Sequence, residues 1–297
     1  FWNAYWKGEG KSNKLGWRLE YNMKNRGDVY ATHGLGPVAQ ALDIHRGDRM
    51  RTLIAMDTKS FNGKAEVEKV TGKECNEFRN GDHTTTLIRT ENGKVIEIQH
   101  DVLTPQPYNR LYQLTGTKGF ANKYPVEGYA IDSKQMAASG VQPKVDNLNT
   151  HSFLPKAEKD ALVAKYQHPI LKKYGEMAKE VGGHGGMDFI MDSRLVYCLQ
   201  NGLPLDMDVY DMAEWCALAE LGALSMDNNC ASVAFPDFTR GHWNEVKGYK
   251  HAFASAEDEA EAERIAKEAT AKMKEEGAKQ WAKIAKQEAK AAKKNKK

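Results

Sequence analysis

With 297 residues, of which 41% are apolar and 28% charged, the chain has room for one large domain or two ordinary ones around a sizeable core. Its formal net charge is only +3, and basic residues crowd the C-terminus (Lys290, Lys293, Lys294, Lys296, Lys297), which argues against a basic nucleic-acid face on the body of the protein. Four widely spaced cysteines (Cys75, Cys198, Cys216, Cys230), with no C-x-x-C pair, signal neither a zinc knuckle nor a dense disulfide framework, and no apolar run approaches the roughly 18 residues that a membrane span needs.

The chain opens at Phe1 in an aromatic segment (Trp2, Tyr5, Trp6) without an initiating methionine, and reads as a fragment or a processed product. Residues 1 to 28 are polar and glycine-bearing, a loop with a short helix over Trp17 to Lys24. Next come Tyr30, Ala31, Thr32 and His33, directly before Gly34-Leu35-Gly36-Pro37. A phenol, a hydroxyl and an imidazole before a glycine turn can converge on a ligand. Pro37 suits a first helical position, so a helix is expected from there to about Ile44. The same letters fit a loose dinucleotide fingerprint, Gly34-x-Gly36-x-x-Ala39 with Asp57 placed as a ribose acid. Only Val29 to Ala31 could supply the strand such a fingerprint needs, which favours the substrate-facing turn.

Residues 50 to 57 read as a strand. Thr84 to Thr90 and Lys94 to Leu103 flank Glu91-Asn92-Gly93, and Asn-Gly favours a two-residue hairpin turn. Another strand is expected over Arg110 to Thr115, before the turn Gly116-Thr117-Lys118-Gly119, and residues 120 to 150 read as loop. Consecutive strands with a tight hairpin imply a largely antiparallel open sheet. Helices follow over Lys156 to Tyr166, Pro169 to Val181 and Met187 to Asn201, the last stopped by Gly202 and Pro204. Val209 to Met226 is a further helix whose expected apolar stripe includes Val209, Met212, Cys216 and Leu224. Helices covering one face of the sheet make an α+β fold. Residues 255 to 297, rich in Ala, Lys and Glu and opened by a capping-box pattern at Ser255 and Asp258, read as a long charged helix, a solvated tail behind a domain over 1 to 254.

A second glycine cluster, Gly182-Gly183-His184-Gly185-Gly186, precedes a helix that begins with Met187 and Asp188. Free amides at a helix start favour anionic or hydroxyl-rich groups; a hydrogen-bonded structural histidine with Asp188 as a cap is the competing reading. No His-Glu-x-x-His signature and no Gly-x-Ser-x-Gly elbow occurs, so no metal site is indicated. The acids Asp206, Asp208, Asp211, Glu214 and Glu220 form no legible catalytic pair and read as solvated. Trp17-Arg18, Tyr108-Asn109-Arg110 and Arg240-Gly241-His242-Trp243 each mix an aromatic with a cation in a loop, as sugar sites do.

In order along residues 1 to about 250, the stretches Trp17-Arg18-Leu19, Gly27 to Pro37, Arg46-Gly47-Asp48, Thr84-Thr85-Thr86, Gln99-His100-Asp101, Tyr108-Asn109-Arg110, Gly116 to Gly119, Gly183 to Asp188 and Asp206-Met207-Asp208 resemble the C-terminal part of the family 109 glycoside hydrolases, within the Gfo/Idh/MocA superfamily. Ala31 departs from that pattern, where proline is expected after the tyrosine. The resemblance implies an open antiparallel sheet of the Gfo/Idh/MocA C-terminal kind and a bacterial NAD-dependent α-N-acetylgalactosaminidase. In such an enzyme NAD oxidises the sugar at C3, the aglycone leaves by elimination, water adds, and NADH returns the hydride.

Carried across, it implies substrate contacts at Arg18, Tyr30, Ala31, Thr32, His33 and Tyr108, with His184 and Asp188 as a second tier and Tyr5 as a weaker addition. Tyr30 also reaches the cofactor, and His33 and Tyr30 are the catalytic pair, His33 moving the proton or polarising the C3 oxygen. The partners implied are terminal N-acetylgalactosamine glycans; a homo-oligomer is compatible with it, and nucleic acid and a membrane span are not. The family's setting is the bacterial periplasm or secretion. Its N-terminal Rossmann domain has no counterpart in this sequence, so the chain as it stands is expected to be inactive. Two alternatives remain: a Gfo/Idh/MocA sugar oxidoreductase with net NADH formation, and a non-catalytic sugar-binding relic.

Overall fold

The computed structural model describes residues 16–248, 264, 271 and 275–287. They fall into two compact units. The first takes residues 16–135, 146–154 and 207–248, and the second residues 136–145 and 155–206 with the described part of the tail.

The first unit is built on a four-stranded antiparallel sheet of β1 (Met50–Asp57), β2 (His83–Thr90), β3 (Val95–Asp101) and the two-residue β7 (Val233–Ala234), in the order β3-β2-β1-β7. Alternation sets its inner face: Thr84, Thr86, Ile88 and Thr90 of β2 are buried and their neighbours are not. Register follows the hairpin. Arg89 faces Val95 and Thr90 bonds Lys94, so three residues, 91 to 93, make the turn where two were expected, and Gly93 takes a positive φ of 82°. Three-residue hairpins of this kind close on a left-handed residue, which glycine adopts freely.

Two helices cover the inner face. Leu35 and Ala39 of α2 (Thr32–Ala41) and Trp215, Leu218 and Met226 of α8 (Val209–Asp227) pack with Leu53, Ala55, Ile88, Ile96 and Ile98 into one core. A smaller cluster joins Leu19 of α1 (Trp17–Lys24), Val67 of α3 (Asn62–Thr71), Phe78 and Leu103. The carboxylate of Asp82 accepts from the main-chain N–H groups of Phe61, Asn62 and Gly63 and so caps α3 from a distant loop.

Residues 120 to 150 are not only loop. β4 (Tyr112–Thr115), β5 (Phe120–Lys123) and β6 (Gly128–Ala130) form a second antiparallel sheet, followed by α4 (Ser133–Ala138). These strands are three or four residues long and half polar, too short for alternation to show.

In the second unit α5 (Lys156–Tyr166), α6 (Pro169–Val181) and α7 (Met187–Asn201) occupy the expected residues. Asp206 receives two hydrogen bonds from the buried Arg194 guanidinium, at 2.9 and 2.5 Å, and so ties the segment after α7 back onto it. Residues 275–287 of the tail are helical, whereas the capping box at Ser255 lies outside the described residues. No helix among the described residues is long and apolar enough to cross a membrane.

Candidate functional site

The site centres on the entry to α2. Instead of a glycine turn and a helix opening at Pro37, the helix begins at Thr32 and carries Gly34, Gly36 and Pro37 inside it. Gly36 serves packing, since a Cβ there would meet the Trp215 ring at 3.3 Å, whereas one on Gly34 would make only ordinary contact with Ile98 at 3.5 Å. Neither glycine takes a positive φ. Asp57 is equally committed, receiving two hydrogen bonds of 2.8 Å from Arg26. The dinucleotide reading of these residues therefore has neither a loop nor a ribose acid.

Starting the helix four residues before its first glycine-proline step puts Tyr30 and His33 one turn apart. Their rings stack with centroids 4.7 Å apart and planes 18° from parallel, and both residues are exposed. Thr32 beside them is exposed, whereas the Ala31 side chain belongs to the core. Burial lowers the His33 pKa from its ordinary value and the Arg110 guanidinium lowers it further, so the imidazole is neutral near pH 7. Arg110 also lies over the Tyr108 ring at 5.5 Å, and Tyr108 meets Tyr124 edge-on at 6.4 Å. Arg18, on α1, stacks on Trp17 at 4.3 Å.

Pro37 has no N–H to give the carbonyl of His33, four residues earlier. The Tyr112 hydroxyl, from the start of β4, donates to that carbonyl instead. Beneath the turn, the Asp28 carboxylate accepts from the Tyr30 main-chain N–H at 3.1 Å and interacts with His100. Burial raises the Asp28 pKa, against the pull of His100 and Tyr30, and burial lowers that of His100, against Asp28 and Asp101. Next to His100 on β3, Asp101 points to the other face, where it binds His83 at 3.1 Å and takes the N–H and hydroxyl of Thr104 at 3.0 and 2.7 Å. Thr104 opens the loop that carries Tyr108 and Arg110. The residues that sequence reading passed over as site residues are thus Asp28, His100 and Tyr112, whereas Arg110 was singled out with Tyr108 as a mixed aromatic-cation loop. Strand alternation through Gln99-His100-Asp101 could have pointed to the second.

The acids of α8 correct the expectation that they are solvated. Asp211 and Glu214 are buried, and the loop after α2 brings cations to them. Arg46 binds Asp211 through both guanidinium nitrogens at 3.0 and 2.9 Å, and His45 binds Glu214 at 2.9 Å and Asp208 at 3.3 Å. Burial alone would lower His45; the carboxylates of Asp208 and Glu214 outweigh it and raise it to about 9. Asp208 falls to about 2, because His45 and the Asp211 N–H outweigh its own burial. It also caps α8 in a capping box with Asp211.

The inward face of α8 is accordingly Asp211, Glu214, Trp215, Leu218 and Met226; of the expected apolar stripe, Val209, Met212, Cys216 and Leu224 are exposed, Ala213 and Ala219 are half-buried, and Ala217 packs against the core. His45, Asp208 and Asp211 bring ligand atoms within 4.8 Å of one another, but the Arg46 guanidinium already supplies their positive charge. Asp48 completes the knot, accepting from the Thr90 hydroxyl at 2.7 Å and the Asn92 N–H at 3.0 Å at the hairpin.

In the second unit Gly182, Gly183, Gly185 and Gly186 all take positive φ, as does His184 at 47°. That run demands glycine, and the expected tight turn before α7 is present. His184 Nδ1 lies 2.9 Å from Asp188; the histidine is exposed and the aspartate half-buried. Asp188 is bonded to this histidine while Gly186 occupies the helix cap.

The family described as "Glycosyl hydrolase 109, C-terminal domain" matches residues 4–245. Glycosyl hydrolase family 109 protein 5 of Phocaeicola vulgatus is 80% identical over 273 residues, covering 92% of this chain and 52% of that protein. Protein 3 of the same organism is 66% identical over 91% of this chain and 49% of its own length. Family 109 protein 1 of Bacteroides thetaiotaomicron is 59% identical over 86% of this chain and 52% of its own. The chain spans about half the length of the curated relatives it matches.

Proposed function

The chain belongs to glycosyl hydrolase family 109, and from that premise we propose that it supplies the sugar-facing half of an enzyme that removes terminal α-linked N-acetylgalactosamine with the help of NAD. The observation that carries this reading is the exposed Tyr30–His33 stack beside Arg110 and Tyr108. Aromatic faces offer a sugar ring apolar contact without desolvating its hydroxyls, and Tyr108 and Tyr30 provide them. His33 is neutral near pH 7 and can take a proton from a sugar hydroxyl or carbon and give it back. The Arg110 guanidinium steadies negative charge developing on a sugar oxygen. Arg18 and Thr32 add hydrogen-bonding groups, and Tyr30 is the residue through which this chain would meet the cofactor.

Gly34, Gly36 and Asp57 do not fit a dinucleotide fingerprint. Gly34 and Gly36 face Ile98 and Trp215, and a Cβ on Gly36 would fill no phosphate cradle but strike an indole. The pyrophosphate therefore falls to the half of the family's length that this chain does not span, and no chemical step is assigned to NAD from these residues. His184 and Asp188 are kept as a second, separate sugar-contact candidate.

The 297-residue chain is expected to retain no NAD after purification and to leave an α-N-acetylgalactosaminide uncleaved. Joined to the missing half of a close relative, it should release N-acetylgalactosamine without net NADH. Stoichiometric NADH accumulation would favour a sugar oxidoreductase, and sugar binding with no turnover in the joined protein would favour a binding module.

A further inference from the structure

Proline inside the first turns of α2 leaves a specific defect. Each helical carbonyl expects the N–H of the residue four places on, and the His33 carbonyl meets Pro37, which has none. The defect sits on a residue of the stacked pair, and it is filled from another element: Tyr112 opens β4, 79 residues further along the chain, and its hydroxyl donates to the His33 oxygen. Burial raises the Tyr112 pKa, so the phenol keeps the proton it donates. Two residues before it stands Arg110, whose charge acts on the His33 ring. We propose that Tyr112 is a positioning residue for His33, its hydroxyl replacing the N–H that Pro37 lacks and so tying the start of β4, with Arg110 and Tyr108 just before it, to the turn that presents Tyr30 and His33.

The tether has a physical logic. A helix closed by its own main chain would hold His33 without regard to β4, whereas the missing donor makes the His33 main chain depend on the strand that brings Arg110. The functional part of this inference rests on the reading of His33 as a site residue.

The test is a double-mutant cycle between Tyr112→Phe and Pro37→Ala in the full 297-residue chain. The Pro37→Ala substitution restores an N–H to the His33 carbonyl and should make the Tyr112 hydroxyl redundant. With Pro37 in place, Tyr112→Phe should speed hydrogen exchange at the Leu35 amide about tenfold, the scale of one lost hydrogen bond, and move the His33 titration, followed by histidine NMR, back toward an ordinary histidine. In the Pro37→Ala background both effects should shrink below about twofold. Equal effects in the two backgrounds would overturn the tether, since Tyr112 would then act by packing alone, and so would no effect of Tyr112→Phe in either. The reading of His33 is tested separately: in the chain joined to the missing half of a relative, His33→Gln should lower turnover at least about 100-fold. Full turnover with an intact cycle would sink that reading and leave the tether standing.

Discussion

The two ends of α2 solve opposite problems. At its C-terminal end the chain buries charge, and every charge there meets a partner: Arg46 with Asp211, His45 with Glu214 and Asp208, Asp48 with the hairpin. At its N-terminal end Tyr30, His33, Tyr108 and Arg110 are exposed, and the one imidazole among them is pushed toward its neutral form. Ion pairs buried this deeply act as structure, because breaking one strands a charge out of water. Chemistry needs groups that can still change partner. Two of the stretches that carry the resemblance, Arg46-Gly47-Asp48 and Asp206-Met207-Asp208, therefore belong to this buried-charge joint after α2 and to the second unit's Arg194 clamp, while the candidate site is made largely of aromatic rings.

This contrast predicts different failures at each end. Removing the guanidinium by Arg46→Ala leaves Asp211 buried and uncompensated and should cost about 3–5 kcal/mol, measured by urea unfolding of the 297-residue chain; a loss below about 1 kcal/mol would mean that the joint is not what holds the loop. His33→Ala should do the reverse. Turnover of the completed enzyme should fall roughly 100- to 10,000-fold, the range for a proton-transferring side chain, with the urea midpoint of the chain unchanged.

The joint should also have a pH signature. His45 is raised to about 9 from 6.5, so its stabilisation is fully present below about 6.5 and is lost as pH rises through 9. Asp208, lowered to about 2 from 3.8, adds stability above about 3.8 that disappears as pH falls through 2. The unfolding free energy measured in urea should decline between pH 7 and 10 by an amount on the order of 2 kcal/mol, and His45→Gln should flatten that alkaline slope. The smallest contrast lies within the helix. Gly36→Ala presses a methyl onto the buried Trp215 ring and should cost about 1 kcal/mol, whereas Gly34→Ala has ordinary contact distance to Ile98 and should gain a few tenths through helix propensity. Equal responses would place the two glycines in one role.

Most of this architecture was legible where periodicity was strong. β1, the hairpin strands and the three helices of the second unit fall within a residue or two of expectation, since alternation and glycine or proline stops speak locally. The α8 stripe was misread because burial there is decided by tertiary charge: Asp211 and Glu214 turn inward only because His45 and Arg46 arrive from 165 and more residues away. Pro37 misled for a related reason. Its local preference for a helix start yields to a hydroxyl from β4 that no local pattern contains. Tyr30, His33 and Tyr108 were visible as residue types beside glycines and in mixed aromatic-cation loops, but Asp28 and His100 come together only when the strands are paired.

Strand β3 turns that pairing into an all-or-none switch for assembly. His100 reaches inward beneath the Tyr30 turn and Asp101 reaches outward to Thr104 at the root of the Tyr108 loop. A slip of one residue in the β2–β3 pairing would exchange the two faces, withdrawing both supports together. A misregistered molecule would thus lose the support under the Tyr30 turn and the anchor of the Tyr108 loop together, and would present no half-formed candidate site.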